Sequence, residues 1–313
     1  PTRTAAVQHF VTYPLTAHPF TPELVTKAAL VRFATRAEEL GIDGLGFTDH
    51  PAPSHKWLTH GGHDALDPFV ALAVAATVTE RLRLIPNILV LPYRNPFVVA
   101  KAAATLDALS GGRFVLSVAT GYQRGEYRAL GVDFEERNAL FDEALAVIRG
   151  IWSTDEFAYE GRNFTATGQT ANPKPEPGRI PVWIGGNSAL SRRRVAASAD
   201  CWSPFPAPAT LARTAKTPVL ETVDDLVPML DHLWRCVDEA GRDPKELDVS
   251  MAALGCAPPG TDAFDGEAHV DMLGTLAGLG VTWTSTSVPG DSLDRALDAL
   301  EEYATTVVAP LRR

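Results

Sequence analysis

The sequence predicts an α/β fold, a (β/α)8 TIM barrel, on three observations. Short apolar runs typical of buried strands alternate with longer amphipathic segments along all 313 residues. Eight strand-like runs can be counted, the number that closes such a barrel. No low-complexity linker or internal repeat divides the chain, so residues 1–313 are predicted to form one domain. An open doubly wound sheet has the same alternation, but no G-x-G-x-x-G follows a strand.

The predicted strands are short apolar runs that end at glycine, proline or polar residues. They lie at residues 5–9, 44–48, 82–91, 113–119, 180–184, 200–203, 247–254 and 281–285. Pro86 and Asn87 interrupt the third run, and proline inside a central strand loses a ladder hydrogen bond. We therefore expect a β-bulge at this point.

The predicted helices carry apolar residues at helical spacing. They lie at residues 22–40, 68–78, 96–109, 134–152, 188–198, 222–241, 267–279 and 292–308. Pro96 stands in the first turn of its helix, where its missing N–H has no intrahelical partner to lose. Gly41 follows the first helix at the position where a left-handed residue ends it.

Two connections are too long to be plain loops between strand and helix. Residues 49–67 follow the second strand, and residues 153–179 precede the fifth. Within the latter, Gly161 is expected in the turn of a hairpin with the sequence FAYEGRNFTATG. The loops after strand C-termini build the active site of a barrel, so we expect both insertions near the chemistry.

Composition disfavours several classes of protein. The chain has 28 basic and 38 acidic residues and a net charge of −10, which repels a nucleic-acid backbone. No run of ~18 apolar residues predicts a membrane span, and no apolar secretory segment follows Pro1, so we expect a cytoplasmic protein. The three cysteines lack C-x-x-C spacing, which excludes a disulfide framework and a thiolate zinc site.

Asp49 and His50 directly follow the second strand and are the first candidates for chemistry. Asp49 is placed to orient the His50 ring, although a capping aspartate beside an incidental histidine would have the same sequence. His55, His60 and His63 lie in the same loop and suggest a metal site. The paired ligands of a barrel hydrolase, H-x-H, are absent, so we predict no metal and a polar lid over the site.

Gly185, Gly186, Asn187 and Ser188 join the fifth strand to a helix. Two glycines let the backbone approach a ligand, Asn187 or Ser188 can cap the helix, and the helix N-terminus favours an anion. A plain turn would have the same sequence. The arginines at 192–194 add positive charge to this region.

The fourth strand ends at Thr120 and Gly121, which places Tyr122 on the rim of the barrel. Tyr122 would serve there as a proton donor or a stacking partner, or as a buried tyrosine with a hydrogen-bonded hydroxyl. A Ser-His-Asp hydrolase is disfavoured because no G-x-S-x-G is present.

Taken together, these motifs resemble the bacterial luciferase-like flavin and deazaflavin oxidoreductases. The similarity runs to about Trp202 through AEELGIDGLGFTDH, RLRLIPNILVLPYRNPFVVAKAAATLDALSGGRFVLSVATGY, FEERNALFDEALAVIRGIW, PKPEPGRIPVWIGGNS and ADCWSPF. The LSGGRF segment and its spacing to WIGGNS are most similar to the branch of this superfamily that uses coenzyme F420. The resemblance implies a barrel with the cofactor at the strand C-termini, and a homodimer.

The resemblance also implies roles for residues on the first strands. Asp49 and His50 match the pair that touches the polar edge of the deazaflavin, with His50 as the base. Asn87 and Ile88 fall where several members have a non-proline cis peptide in the bulge behind the ring.

On the later strands, Thr120 and Gly121 are assigned to the cofactor site. Gly185, Gly186 and Asn187 match the backbone amides around the cofactor phosphate. Tyr122 stands where the members that oxidise glucose 6-phosphate have a glutamate, and this departure argues against a sugar-phosphate substrate.

Three functions follow from this reading. The first is an F420-dependent oxidoreductase that moves a hydride between deazaflavin C5 and a small organic substrate, with catalytic roles for His50 and Tyr122. The second is a two-component monooxygenase that uses reduced FMN and oxygen, with residues 49–67 as the lid. The third is a flavin-binding protein without catalysis, against which His50 and Tyr122 argue.

Overall fold

A computed structural model describes residues 7–175 and 180–312. Its strands are β1 (Gln8–Thr12), β2 (Gly44–Phe47), β3 (Arg83–Pro86), β4 (Leu89–Val90), β5 (Leu116–Ala119), β6 (Phe157–Glu160), β7 (Thr165–Gln169), β8 (Val182–Gly185), β9 (Cys201–Ser203), β10 (Asp248–Val249) and β11 (Trp283–Ser287). All of them pair in parallel except the hairpin of β6 and β7.

The parallel strands lie in two sheets, with the orders β11-β1-β2-β3 and β10-β9-β8-β5-β4. Parallel bridges join the two sheets on both sides, between Leu84 and Phe114 and between Ser250 and Trp283. The strand order therefore returns to its starting point, and the predicted barrel is confirmed.

The helices are α1 (Lys27–Glu39), α2 (His55–Leu58), α3 (Pro68–Ala76), α4 (Pro96–Ser110), α5 (Arg124–Ala129), α6 (Arg137–Ser153), α7 (Ala189–Ser198), α8 (Ala209–Ala215), α9 (Val223–Glu239), α10 (Gly266–Gly278), α11 (Leu293–Tyr303) and α12 (Ala309–Leu311). The eight predicted helices correspond to α1, α3, α4, α6, α7, α9, α10 and α11. The shorter α2, α5, α8 and α12 were not predicted, since three to seven residues are too few for a helical period to show.

The first predicted helix is divided in two. Thr26 is extended, and its side chain accepts a hydrogen bond from the Ala29 N–H, so α1 begins after it. Residues Pro22–Val25 form a separate 3-10 turn. The last predicted helix continues from α11 through a π-helical turn, Ala304–Val308.

Three strand predictions need correction. Of the first, Ala5 and Ala6 lie outside the described residues, and β1 extends to Thr12. The seventh is only two residues long, because beyond Ser250 the chain leaves the sheet for a loop. The third divides at Asn87 and Ile88, so that β3 pairs with β2 while β4 pairs with β5. The peptide bond between Asn87 and Ile88 is cis, as the resemblance implied.

Both insertions are present. Residues 49–67 contain α2, and residues 153–179 contain the predicted hairpin, with Gly161 donating a hydrogen bond to the Phe164 carbonyl in its turn. The Glu143 carboxylate on α6 accepts hydrogen bonds from the N–H groups of Asn163 and Phe164, which fastens the hairpin to the barrel.

Apolar side chains fill the barrel interior toward the N-terminal ends of the strands. We call this cluster the aromatic plug; it consists of Phe10, Ile85, Val115, Trp183, Cys201 and Trp283. The ring centroids of Phe10 and Trp183 are 6.1 Å apart, and those of Trp183 and Trp283 are 5.1 Å apart. Because β1 and β8 are not neighbours, these rings can meet only through the barrel interior.

Among the described residues, no helix combines the length and the apolar character needed to cross a bilayer.

Candidate active site

The predicted site residues come together at the C-terminal ends of four consecutive strands, β2, β3/β4, β5 and β8. Gly121 lies against Val90, where an added Cβ would stand 2.6 Å from Val90 Cγ1. Gly185 lies against Ile88, and a Cβ there would overlap the Ile88 side chain. The missing Cβ atoms therefore let the Val90 and Ile88 side chains pack directly on the backbone at this edge of the barrel.

His50 is held by a buried carboxylate. Its Nδ1 lies 3.0 Å from Oε2 of Glu126, a residue of α5 that has no exposed surface. Glu126 also accepts hydrogen bonds from the Tyr93 hydroxyl (3.2 Å) and the Ala52 N–H (3.2 Å). A carboxylate can only accept here, so His50 carries its proton on Nδ1 and leaves Nε2 available.

The expectation that Asp49 orients His50 is wrong. Both Asp49 oxygens are taken by the Arg94 guanidinium, at 2.6 and 2.8 Å, and the Val90 N–H adds a third bond at 2.9 Å. Asp49 is only 3% exposed, and this bidentate pair ties the end of β2 to the segment after β4. Asp49 thus supports the wall of the site, and Glu126 positions the histidine.

Aromatic rings enclose His50. Its ring centroid lies 4.5 Å from that of Trp57 on α2 and 5.0 Å from that of His63. Burial raises the pKa of the Tyr122 phenol. Burial lowers the pKa of His63. Tyr122 therefore stays protonated at neutral pH and can donate a hydrogen bond but cannot act as a base.

The remaining predicted residues line the same end of the barrel. The Asn87 amide donates to the Thr12 hydroxyl at 3.1 Å, and the Thr120 carbonyl accepts from the Tyr127 hydroxyl. His55 and His60, by contrast, lie in the exposed part of the lid segment. Within the described chain, no three His, Cys, Asp or Glu side chains are grouped to hold a metal ion.

The turn before α7 has the features of an anion site. Gly186 has a φ of +105°, a conformation that favours glycine, and Ser188 caps the helix through the Ser191 N–H. Asn187 is fully buried and bonds both the N–H and the carbonyl of Phe205. The Gly186 N–H already donates to the Ser203 carbonyl at 3.3 Å, so an anion would be held by the N–H groups that follow it.

Arg192 adds a buried positive charge behind this turn. It is 7% exposed, donates to the Asn187 carbonyl at 2.8 Å, and donates to His232 Nδ1 at 3.1 Å. In the part of the chain that the structure describes, no carboxylate lies within 4.0 Å of its guanidinium. Arg194 instead pairs with Asp142, and Arg193 is exposed. An uncompensated buried cation favours an anion at the adjacent helix terminus.

Sequence reasoning missed Glu126, Arg94 and Trp57. Glu126 and Trp57 lie on helices too short to show a period, so no pattern marked their buried faces. The available signal was weak: each follows a predicted strand end by a few residues, in a segment assigned to the active-site face.

The chain is similar in sequence to several known proteins. The sequence profile described as luciferase-like monooxygenase matches residues 7–263. A protein of unassigned function from Mycobacterium tuberculosis is 36% identical, over 79% of each chain. A protein of Microbacterium testaceum named F420-dependent glucose-6-phosphate dehydrogenase is 30% identical, over 71% of this chain and 62% of its own.

Solved structures show the same fold. A monooxygenase from Streptomyces bottropensis superposes with a TM-score of 0.80 at 17% identity, over 97% of this chain and 99% of its own. An F420-dependent secondary alcohol dehydrogenase superposes with a TM-score of 0.73 at 18% identity, with the same coverage of 97% and 99%. The protein is thus an oxidoreductase by family, and the chain belongs to the luciferase-like monooxygenase family.

Proposed function

We propose that this protein is a coenzyme F420-dependent oxidoreductase that transfers a hydride between C5 of the deazaflavin and a small organic substrate. The observation that carries the proposal is the His50–Glu126 pair, which holds a histidine with one free ring nitrogen at the mouth of the barrel. The name of the Microbacterium relative and that of the alcohol dehydrogenase neighbour support the same cofactor.

The residues present fit such a cofactor. The turn at Gly186 and the buried charge of Arg192 suit its anionic tail, since both favour negative charge at one point. The Val90 and Ile88 side chains, which pack on Gly121 and Gly185, form a low apolar surface that suits a flat ring. When bound, the deazaflavin supplies the hydride acceptor or donor.

The protein's own part is to orient the substrate and to move a proton. Glu126 keeps the proton of His50 on Nδ1, so Nε2 can take the proton of a substrate hydroxyl while the carbon that bears this hydroxyl gives up its hydride. In the opposite direction, Nε2 returns that proton to the carbonyl oxygen. Trp57 and His63 cover two sides of the ring and limit the access of water.

A two-component monooxygenase that uses reduced FMN is the second candidate. The Streptomyces monooxygenase is similar in fold over nearly the whole chain, and α2 in residues 49–67 lies over His50 as a sheltering lid would. A flavin-binding protein without catalysis would have no use for a buried carboxylate bonded to a histidine at the mouth.

Titration of the purified protein with F420, FMN and FAD, followed by fluorescence, tests the proposal. We expect F420 to bind with a micromolar or lower Kd and FMN to bind at least ten-fold more weakly. If FMN binds ten-fold more tightly than F420, the monooxygenase replaces the proposed function. If none of the three binds, both fail.

The resemblance further supports a homodimer in the cytoplasm that acts on a small molecule and not on nucleic acid. Light scattering coupled to size exclusion tests the dimer. A mass of 33.6 kDa, that of one chain, would contradict it.

A further inference from the structure

Four serine side chains point into the barrel above the aromatic plug. Ser117, Ser203 and Ser285 each lie two residues beyond a plug residue on the same strand, so they share its inward direction. Val249 packs outward into the main core, so the next residue, Ser250, also points inward. We call these four residues the serine chamber.

The hydroxyls of the serine chamber have no hydrogen-bond partner among the described residues. Ser117 Oγ is in addition buried. Ser117 has no exposed surface, and Ser203 and Ser250 are 6% and 2% exposed. Leaving the buried Ser117 hydroxyl unpaired destabilises the protein, and a polar ligand that bonds the four serines would remove this cost.

A cavity of about 380 Å³ opens beside the chamber, at the C-terminal ends of β9, β10 and β11. Ser285 lines it, which joins the cavity to the chamber, and Ser287 adds a second inward hydroxyl. Its other walls are largely apolar, including Pro206, Leu220 and Leu254.

The charge of this cavity selects against anions. Glu221 is the only charged side chain among the residues that line it, and no lysine or arginine does. Burial lowers the pKa of His269, which also lines it, so this histidine is neutral at pH 7. A phosphate in the cavity would meet a carboxylate with no cation to balance it.

We propose that the serine chamber and this cavity form the substrate site, and that the substrate is an uncharged molecule with an apolar body and a hydroxyl or carbonyl end. The polar end accepts hydrogen bonds from the serine hydroxyls and keeps its own proton for Nε2 of His50, and the body lies against the apolar walls. Phosphorylated substrates are excluded. This assignment rests on the proposed oxidoreductase function.

Ligand-observed NMR on the full chain tests the site without the cofactor, with cyclohexanol and glucose 6-phosphate as probes. We expect cyclohexanol to bind and glucose 6-phosphate not to bind at equal concentration. Ser285→Ala and Ser203→Ala should each raise the cyclohexanol Kd by about two- to ten-fold, the effect of one hydrogen bond.

Thr284→Val is the matched control. Thr284 also has a buried, unpaired hydroxyl on β11, but it alternates with Ser285 and faces away from the chamber. Its loss should leave the cyclohexanol Kd unchanged. The assignment is overturned if wild-type protein does not bind cyclohexanol, if glucose 6-phosphate binds as tightly, or if the serine variants behave like this control.

F420 titration of the same proteins separates the two proposals. If cyclohexanol binds in a serine-dependent way but F420 does not bind, the substrate site stands and the proposed cofactor is wrong. If F420 binds but cyclohexanol binding does not depend on the serines, the proposed cofactor stands and the substrate site is wrong.

Discussion

Replacing Glu126 by glutamine tests the proton path directly, because Glu126→Gln removes a charge while keeping the shape of the side chain. Glu126 uses Oε2 for His50 and Tyr93 and Oε1 for the Ala52 N–H. A glutamine has only one acceptor oxygen. If that oxygen faces Ala52, its NH2 group faces His50 Nδ1. If it faces His50, its NH2 group meets the Ala52 N–H, donor against donor.

The first orientation satisfies more groups, and it reverses the histidine. An NH2 group that donates to Nδ1 moves the His50 proton to Nε2, the atom that must accept a proton from the substrate. General acid–base catalysis typically contributes ~10²–10⁴-fold, so we expect kcat to fall by about that factor. The cofactor Kd should change less than two-fold, since Glu126 has no exposed surface with which to touch a ligand.

Stopped-flow absorbance of F420 reduction under single-turnover conditions measures the chemical step, and fluorescence titration measures the Kd. Glu38→Gln is the matched control, because the Glu38 carboxylate also accepts several backbone hydrogen bonds, from Glu80, Arg81 and Leu82, but far from the site. The control should lose stability and keep its rate. A Glu126→Gln enzyme with a rate within three-fold of wild type would refute the tautomer argument.

Three further predictions concern the anion site, the chamber and acid stability. Gly186→Asp places a carboxylate where an anion should bind, and F420 affinity measured by fluorescence should fall at least ten-fold, or ~1.4 kcal/mol. An unchanged Kd in a folded variant would show that the turn does not bind the cofactor. Ser117→Ala removes an unpaired buried hydroxyl and should raise the melting temperature by about 2 °C, whereas Ser110→Ala, which breaks a 3.1 Å bond to the Asp107 carbonyl, should lower it. Burial, and secondarily Arg312, lowers the pKa of His9 to about 4, so the unfolded chain takes up a proton first as pH falls from 6.5 to 4. Urea unfolding should therefore show that wild type loses roughly 3 kcal/mol more stability across that window than His9→Phe does.

The barrel could be predicted from the sequence because the strands are short apolar runs and the long helices carry apolar residues at helical spacing. Pro86 and Asn87 located the break in the third strand, since proline cannot continue a ladder. The divided first helix could not be predicted, because a threonine such as Thr26 occurs both at helix caps and inside helices, so its residue type does not locate the start of the helix. Only the extended backbone at Thr26 decides between them.

The location of the site residues could be predicted from the sequence, but their hydrogen-bond partners could not. His50 and Gly186 follow strand ends, and topology alone brings strand ends together. The partner of His50 was misassigned because Asp49 is adjacent in sequence, yet neighbouring side chains at a strand end point to opposite faces. Glu126 is 76 residues away along the chain, and nothing local relates it to His50.

The aromatic plug also determines the order in which ligands can arrive. Phe10, Trp183 and Trp283 close the barrel at one end, so molecules enter and leave only by the other. Gly185, at the proposed cofactor site, pairs with Ser203 of the serine chamber, so the two ligands would lie side by side at one level of the barrel. With a single entrance, the molecule that lies across it controls the passage of the other. Steady-state kinetics should therefore follow a compulsory sequence, and product inhibition patterns would reveal which ligand leads.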